Sequence, residues 1–310
     1  NDSQLCTQTQ TDSQCTCSQT LKRMLRALGT STGTLLRRSV LLFGCTSSPA
    51  FPVFRFSSRS AFSSSMAESP SPAELSQVVE NIRSVRERIQ ARCELVKCSP
   101  PRLVAVSKTK PNELIQALYA QAGQRRFGEN YVQELIRKAT ELPTDIEWHF
   151  IGHLQSRKVK SLVAVPNLVM VETVDSLKLA KSLNKEVANQ RPAGTKLDVM
   201  LQVNTSGEES KSGTNPANIA ALAKEVSQLG GLRLAGLMTI GRPDAGKDQP
   251  DFVTLKECRR LVAEALAVEE TSLELSMGMS ADFEDAISFG STNIRVGSTI
   301  FGARSYASTS

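Results

Sequence analysis

The sequence predicts an α/β protein, a single-domain (β/α)8 TIM barrel with an additional helix in front of the first strand. Three observations predict this fold. Short runs rich in Val, Ile and Leu alternate with stretches whose apolar residues recur at helical spacing. About eight such runs lie between residues 103 and 296, as many as a closed barrel needs. The first run is not followed by the Gly-rich turn of a dinucleotide-binding sheet.

The additional helix is predicted from its start signal and its periodicity. Ser71-Pro72-Ala73-Glu74 reads as a capping box with Pro at the first helical position. Apolar residues follow at helical spacing at positions 75, 78, 79, 82, 85 and 89. One face of this helix is therefore apolar and must pack against another part of the protein.

After Pro100-Pro101 the pattern predicts strands and helices in strict alternation. The predicted strands are residues 103–107, 126–128, 147–151, 168–172, 196–204, 232–239, 272–277 and 293–296. The predicted helices are residues 111–122, 131–142, 156–165, 176–189, 216–229, 251–268 and 281–288. Such alternation implies parallel strands joined by crossover helices. An open doubly wound sheet remains an alternative, although Ser107-Lys108-Thr109-Lys110-Pro111 stands where its Gly-rich turn would lie.

The first 70 residues differ in composition from the rest. No acidic residue occurs between Ser13 and Ala67, where Ser, Thr and Arg dominate, as in a mitochondrial transit peptide. Alternatively, Met66-Ala67-Glu68 is an ordinary start and the preceding sequence is not natively translated. In both cases we expect residues 1–70 to be disordered, residues 71–306 to form the barrel and residues 307–310 to be a tail.

Charge, hydropathy and cysteine usage exclude several classes of function. The net charge is +6, but residues 1–66 contribute +5 of it, so the predicted barrel is nearly neutral and we expect no nucleic-acid partner. No apolar run is long enough to span a bilayer, so we expect a soluble protein without a membrane partner. The barrel region has three cysteines without metal-ligand spacing, and we expect neither disulfides nor a metal site.

The carboxyl ends of barrel strands are where active sites form, and Lys108 follows the first strand. An amine at the end of an apolar strand is partly desolvated. Desolvation lowers the pKa of the amine and leaves it free to attack an aldehyde. The simpler alternative is a lysine that extends into solvent.

Two loops after the seventh and eighth strands predict a phosphate site. In the first, Gly278 and Ser280 precede a helix that we expect to begin near Ala281, so that backbone N–H groups face an anion. In the second, Arg295 is followed by Gly297 and Ser298, which offer close backbone approach and a hydroxyl. Each loop alone is more often a helix cap. Together they predict a phosphate cup.

Six stretches of the chain resemble the pyridoxal phosphate homeostasis proteins, a family also called the proline synthase co-transcribed homologues. The resemblance covers about residues 72–306. The stretches are residues 105–111 (AVSKTKP), 127–134 (FGENYVQE), 148–155 (WHFIGHLQ), 210–213 (SKSG), 275–280 (LSMGMS) and 295–304 (RVGSTIFGAR).

The resemblance implies pyridoxal 5′-phosphate (PLP) as the cofactor, held as an internal aldimine on Lys108 and not on Lys110. It implies that Ser280, Gly297 and Ser298 hold the phosphate and that Arg295 faces the pyridine nitrogen. It further implies that Asn130 lies near the ring, with Met238 and Met277 packed beside it.

The same resemblance implies a carrier and not an enzyme. Arginine keeps its proton, so Arg295 would disfavour the pyridinium form on which carbanion chemistry depends. The barrel also resembles that of alanine racemases, in which a second domain supplies a tyrosine as the opposite-face base. The sequence ends eight residues after Gly302, and we expect no such domain. The alternatives are a low-activity racemase or decarboxylase, and a barrel that binds a sugar phosphate.

Further expectations concern accessory residues and partners. His149 is predicted to be packed or hydrogen-bonded within a strand, and His153 is a candidate wall residue of the site. Lys211 could be a second acceptor for the aldehyde, although a solvated lysine is the simpler reading. We expect a monomer that delivers PLP to apo-enzymes, located in the cytoplasm, with a mitochondrial pool if the leader is a transit peptide.

Overall fold

The structure is a computed structural model that describes residues 69–208, 211–242, 246 and 248–303. These residues belong to one compact unit. Apart from Ser69 and Pro70, the predicted leader lies outside the described residues, and so does the predicted tail.

Eight parallel strands form a closed barrel in which each strand pairs with its sequence neighbours. The strands are β1 Arg102–Val106, β2 Arg126–Glu129, β3 Glu147–Phe150, β4 Leu168–Val174, β5 Leu197–Gln202, β6 Leu232–Met238, β7 Glu274–Ser276 and β8 Asn293–Val296. β1 pairs with β8, with Leu103 beside Ile294 and Ala105 beside Val296. This closure confirms the predicted barrel and excludes the open sheet.

Helices follow the strands and cover the outside of the barrel. They are α1 Pro72–Val96, α2 Asn112–Ala122, α3 Val132–Glu141, α4 Val159–Val163, α5 Leu177–Gln190, α6 Ile219–Ser227, α7 Pro250–Leu266, α8 Phe283–Ser288 and α9 Ser298–Phe301. Short 3-10 segments cover Ser156–Lys158, Pro216–Asn218 and Glu270–Ser272. Where one helix was predicted over 156–165, a 3-10 turn leads into a five-residue α-helix.

The predicted capping box starts α1. The Ser71 amide donates to Glu74 Oε2 at 2.7 Å, and the Glu74 amide donates to Ser71 Oγ at 3.3 Å. The apolar face of α1 buries Val78, Val79, Ile82, Val85, Ile89 and Cys93. This face packs on α2, α8 and α9, so α1 covers the joint between the first and last units of the barrel.

The core has two layers because side chains alternate along each strand. Outward-facing side chains such as Trp148 and Phe150 join the helices in one large apolar cluster. Inside the barrel, Met170, Met200 and Met238 form a small separate cluster with Ala235. Among the described residues, no helix has an apolar stretch of the length needed to cross a membrane.

Candidate functional site

Lys108 lies in a turn at the mouth of the barrel, directly after β1. The Lys110 amide donates to the Ser107 carbonyl at 3.0 Å and closes this turn. The side chain of Lys108 is half-buried. The predicted cofactor lysine is therefore held at the end of a strand, partly shielded from water.

Lys110 connects the turn to the end of the barrel chain. Lys110 Nζ donates to the carbonyls of Phe301 and Ala303, at 2.9 and 3.0 Å. It thereby fastens the turn to the segment that follows β8. The contacts of Lys110 give it a structural task in holding the turn.

Thr109 has a left-handed backbone, with φ of +62°. A β-branched residue in this region carries strain of about 1–3 kcal/mol, and it persists only where the surroundings hold it. The Thr109 amide donates to Glu134 Oε1 of α3 at 2.7 Å. The residue after Lys108 is thus held in a conformation that it would not adopt alone.

The predicted phosphate loops meet beside this turn, because β8 pairs with β1 and Gly297 lies next to Val106. The amides of Gly297 and Thr299 donate to Ser280 Oγ, at 3.1 and 3.3 Å. Gly278 has φ of +94°, and a Cβ there would lie 2.5 Å from the Cβ of Ala286. The first loop therefore requires glycine at 278, and the Ser280 hydroxyl joins it to the second loop.

The helix after the first loop begins later than predicted. It starts at Phe283 and not near Ala281, with Asp282 at its N-cap. Asp282 Oδ1 accepts the amide of Met279 at 2.6 Å, so a carboxylate occupies that N–H group. Burial raises the pKa of Asp282. The Gly297 and Thr299 amides are also engaged, because they donate to Ser280 Oγ, so the candidate donors to an anion are the Ser298 amide and the hydroxyls of Ser280 and Ser298.

Arg295 lies inside the barrel and is 4% exposed. Its guanidinium donates to Ser276 Oγ and, at 2.8 Å, to the Thr239 carbonyl. Glu172 Oε2 lies 4.0 Å from Arg295 Nη1. The predicted ring-facing arginine is thus fixed by β6 and β7 and is charge-compensated from β4.

Glu172 is the centre of this buried network. It accepts hydrogen bonds from Ser276 Oγ at 2.5 Å and from Asn293 Nδ2 at 3.1 Å, and His149 Nδ1 lies 2.6 Å from Oε1. Burial alone would raise its pKa, but hydrogen bonding and the charges of His149 and Arg295 hold the pKa of Glu172 below its usual value. Burial lowers the pKa of Arg295, and the negative charge of Glu172 opposes this shift.

Asn130 offers a direct test of whether the site fits a ligand. Its side-chain oxygen is buried and, within the described residues, has no hydrogen-bond partner. A buried polar atom of this kind is costly unless a ligand or water satisfies it. A Cβ on Gly152 would lie 2.0 Å from the Asn130 carbonyl, so Gly152 permits this placement of Asn130.

Of the remaining predicted site residues, one lies inside the barrel and two lie outside its interior. Met238 is fully buried in the interior cluster. Met277 belongs instead to the core between barrel and helices. Ser298 is exposed at the start of α9. Contact of Met277 and Ser298 with the cofactor stays a prediction.

His149, His153 and Lys211 differ in burial and in their side-chain partners. His149 is buried and hydrogen-bonded, as the sequence predicted. His153 is 61% exposed, and its Nδ1 lies 3.8 Å from Asp175 Oδ2. Lys211 Nζ pairs with Glu208 Oε1 at 2.9 Å. Within the described part of the chain, no group of three or more His, Cys, Asp and Glu side chains could hold a metal.

Sequence reasoning missed Glu172, Asn293 and Lys138. Glu172 lies in an apolar strand and could have been recognised as an inward-facing charge in an alternating pattern. Lys138 of α3 is fully buried and donates to Glu129 and to the Ser107 carbonyl next to Lys108, but it carries no such signal because an exposed lysine looks the same in a helical pattern. Its role is visible only from its contacts.

Comparison with known proteins agrees with this geometry. The family described as "Alanine racemase, N-terminal domain" matches residues 74–305. The Pyridoxal phosphate homeostasis protein of Homo sapiens is 47% identical over 239 residues, 73% of this chain and 86% of that protein. The protein of the same name from Escherichia coli K12 is 43% identical over 244 residues, 75% of this chain and 99% of that protein.

A solved structure extends the comparison. PipY of Synechococcus elongatus PCC7942, solved with PLP bound, superposes with a TM-score of 0.59 at 35% identity. The match covers 73% of this chain and all of PipY. At these identities and coverages, the chain belongs to the pyridoxal phosphate homeostasis proteins, within the alanine racemase N-terminal domain family.

Proposed function

We propose that this protein binds PLP covalently through Lys108, limits the free aldehyde and delivers the cofactor to apo-enzymes. Relatives named for PLP homeostasis at 43–47% identity, and a PLP-bound structural neighbour, support the proposal. A place in the cytoplasm, a mitochondrial pool and a monomeric state stay predictions.

The observation that carries the proposal is the meeting of three features at one end of the barrel. Lys108 lies after β1, and the two loops joined by Ser280 lie after β7 and β8. After β2 lies the buried Asn130 oxygen, which has no hydrogen-bond partner in the part of the chain that the structure describes. The amine suits an aldehyde, and the N–H and O–H donors suit a phosphate. The unsatisfied acceptor suits a ring hydroxyl.

The cofactor would supply an electrophilic aldehyde and an aromatic ring nitrogen. The protein's own residues would hold it. Lys108 would provide the amine, the Ser298 amide with the hydroxyls of Ser280 and Ser298 would provide donors for the phosphate, and Arg295 would present a fixed cation inside the barrel.

The charge on Arg295 favours a carrier over an enzyme. An arginine does not give up its proton at physiological pH, so it cannot share one with a ring nitrogen. The pyridinium form that makes PLP a strong electron sink would be disfavoured. His153, a titratable residue after β3, is largely exposed and is not positioned by a short hydrogen bond. Efficient proton transfer needs a positioned acid or base.

Reconstitution with PLP tests the binding proposal. We expect wild-type protein to take up PLP and to keep it through gel filtration, with the absorbance of a covalently attached cofactor. Lys108→Ala should lose this absorbance, because no amine replaces that of Lys108. Lys110→Arg is the matched control in the same turn and should retain it, because arginine keeps donors for the Phe301 and Ala303 carbonyls but has no primary amine. Equal loss in both variants, or a colourless wild type, would refute attachment at Lys108.

A second experiment separates carrier, enzyme and sugar-phosphate barrel. Loaded protein is mixed with amino acids in deuterated water, and Cα proton exchange is followed by NMR. In parallel, loaded protein is mixed with an apo-enzyme whose activity reports transfer. We expect transfer without exchange at catalytic rates. Rapid exchange would establish the racemase or decarboxylase alternative, and absence of PLP uptake would favour a sugar phosphate.

A further inference from the structure

A buried cluster of charges lies directly behind the Lys108 turn. Lys138 of α3 is fully buried, and its Nζ donates to Glu129 Oε1 at 2.7 Å and to Glu134 Oε1 at 2.8 Å. Its third hydrogen bond goes to the Ser107 carbonyl at 2.7 Å. All three protons of the ammonium group therefore have acceptors.

The same side chains hold both chain neighbours of Lys108. Ser107 Oγ donates to Glu129 Oε1 at 2.6 Å, and the Thr109 amide donates to Glu134 Oε1 at 2.7 Å. Lys138 joins these two carboxylates to each other. The backbone on either side of Lys108 is thus fastened to a single ionic cluster on β2 and α3.

A buried ionic cluster of this kind is weak evidence for stability and is compatible with a positioning role. Burial raises the pKa of Glu129, and the positive charge of Lys138 opposes that shift. Apolar side chains in such places are often as stable as a buried ion pair or more so, whereas ionic groups fix one geometry. Thr109 is held in a left-handed conformation at the same point.

We propose that Lys138 is a positioning residue for the Lys108 amine. By joining Glu129 and Glu134, it fixes the 107–110 turn and directs Lys108 into the barrel mouth. The proposal rests on the proposed function, since it assumes PLP attachment at Lys108.

The test compares Lys138→Met with Arg137→Met. Methionine keeps the length and apolar volume of Lys138 and removes its hydrogen bonds. Arg137 pairs with Glu141 at 2.9 Å on the exposed side of the same helix and is the matched control. We expect Lys138→Met to bind PLP at least about tenfold more weakly than Arg137→Met, because a reacting amine that is misplaced loses its effective concentration.

The identity of the lysine that carries PLP is a second readout. A change in protein stability alone would not alter it. After PLP loading and borohydride reduction, peptide mapping gives the share of label on Lys108. We expect this share to fall in Lys138→Met, with label transferred to other lysines, and to stay at the wild-type value in Arg137→Met. Wild-type affinity together with wild-type labelling in a folded Lys138→Met protein would overturn the proposal.

A second pair of variants decides the case if Lys138→Met does not fold. Glu134 is partly exposed, so its replacement is better tolerated. Glu134→Gln keeps an oxygen for the Thr109 amide and for Lys138, whereas Glu134→Leu removes it. We expect Glu134→Gln to retain more PLP affinity and Lys108 labelling than Glu134→Leu. Identical behaviour of the two variants would contradict the positioning role.

Failure of the proposed function would look different. In that case wild-type protein itself would show no Lys108 label, and Lys108→Ala would bind as wild type does. Failure of the positioning role alone would leave wild-type labelling and the Lys108→Ala defect intact.

Discussion

At the scale of residues, the barrel interior is organised around one carboxylate. Glu172 accepts hydrogen bonds from Ser276 and Asn293. His149 contacts Glu172 Oε1, and Arg295 lies near Oε2. A buried arginine without a compensating anion would be strongly destabilising. Glu172 therefore allows a cation at the base of the proposed cofactor site.

Glu172→Gln should lower stability in a pH-dependent way. Loss of one partner of a buried ionic network costs about 3–5 kcal/mol. The native pKa of Glu172 lies below its ordinary value of 4.5, so its contribution is full above pH 4.5 and is lost as pH falls through the native pKa. Urea unfolding should therefore show a large difference between wild type and variant at pH 7 and a smaller one at acid pH.

The control for this prediction is Glu257→Gln, in which an exposed carboxylate on α7 loses its pair with Arg260. We expect little change at either pH, because exposed pairs contribute little. The raised pKa of Glu129 gives the free energy of unfolding a pH dependence of the opposite sign. Because Glu129 is present in wild type and in both variants, its contribution cancels when they are compared. A wild-type stability at pH 7 in Glu172→Gln would contradict the role assigned to Glu172.

Residues at strand ends were predictable, but residues that act through distant partners were not. Lys108 and Asn130 were predicted as site residues because barrel sites form after strands, and the structure places both there, while their contact with a cofactor stays a prediction. Glu172 and its partner Asn293 are 121 residues apart, and their contact depends on the closed barrel. Lys138 has the sequence context of a surface lysine, and only the fold buries it.

At the scale of elements, the loops after β7 and β8 depend on backbone geometry that only glycine allows. Gly278 combines a left-handed φ with a crowded Cβ position against Ala286. Its carbonyl also accepts the Arg295 amide at 3.0 Å. The loop that carries Ser280 is thus coupled to the strand that carries Arg295.

Gly278→Ala should destabilise the protein more than Gly290→Ala. Both glycines have positive φ, of +94° and +88°, but a Cβ at Gly290 meets nothing within 4 Å. We expect about 1–2 kcal/mol for the strain at Gly290 and about 3 kcal/mol or more at Gly278, where overpacking is added. Urea denaturation measures both.

The same two variants should also differ in PLP affinity. Gly278→Ala should weaken binding, because the loop that presents Ser280 must shift, whereas Gly290→Ala should bind as wild type. Equal stability and equal affinity in the two variants would show that Ala286 can move aside and that the loop is not tightly specified.

Most elements were predictable, but the single helix over 156–165 and the start of α8 were predicted wrongly. Strand positions follow from apolar runs, and helix α1 from its capping box and apolar face. The start of α8 was predicted two residues early, because Ser280 resembles an N-cap. In the structure Ser280 Oγ accepts from the loop after β8, and Asp282 takes the N-cap position instead.

At the scale of the whole molecule, the two ends of the barrel have different chemistry. At the amino ends of the strands, arginine–carboxylate pairs join strands, as in Arg102 with Glu274 and Arg126 with Glu147. At the carboxyl ends lie the strained Thr109, the unsatisfied Asn130 oxygen and the glycine-dependent loops. This division is expected of a barrel that is stabilised at one end and binds ligand at the other.

The central claim is that Lys108 is the point at which this barrel holds PLP. The most direct test is a peptide map of wild-type protein that has been loaded with PLP and reduced with borohydride. We predict one dominant labelled peptide, with the cofactor on Lys108 and none on Lys110. Label on Lys110 or Lys211 in place of Lys108, or no label in a protein that retains PLP, would contradict the account.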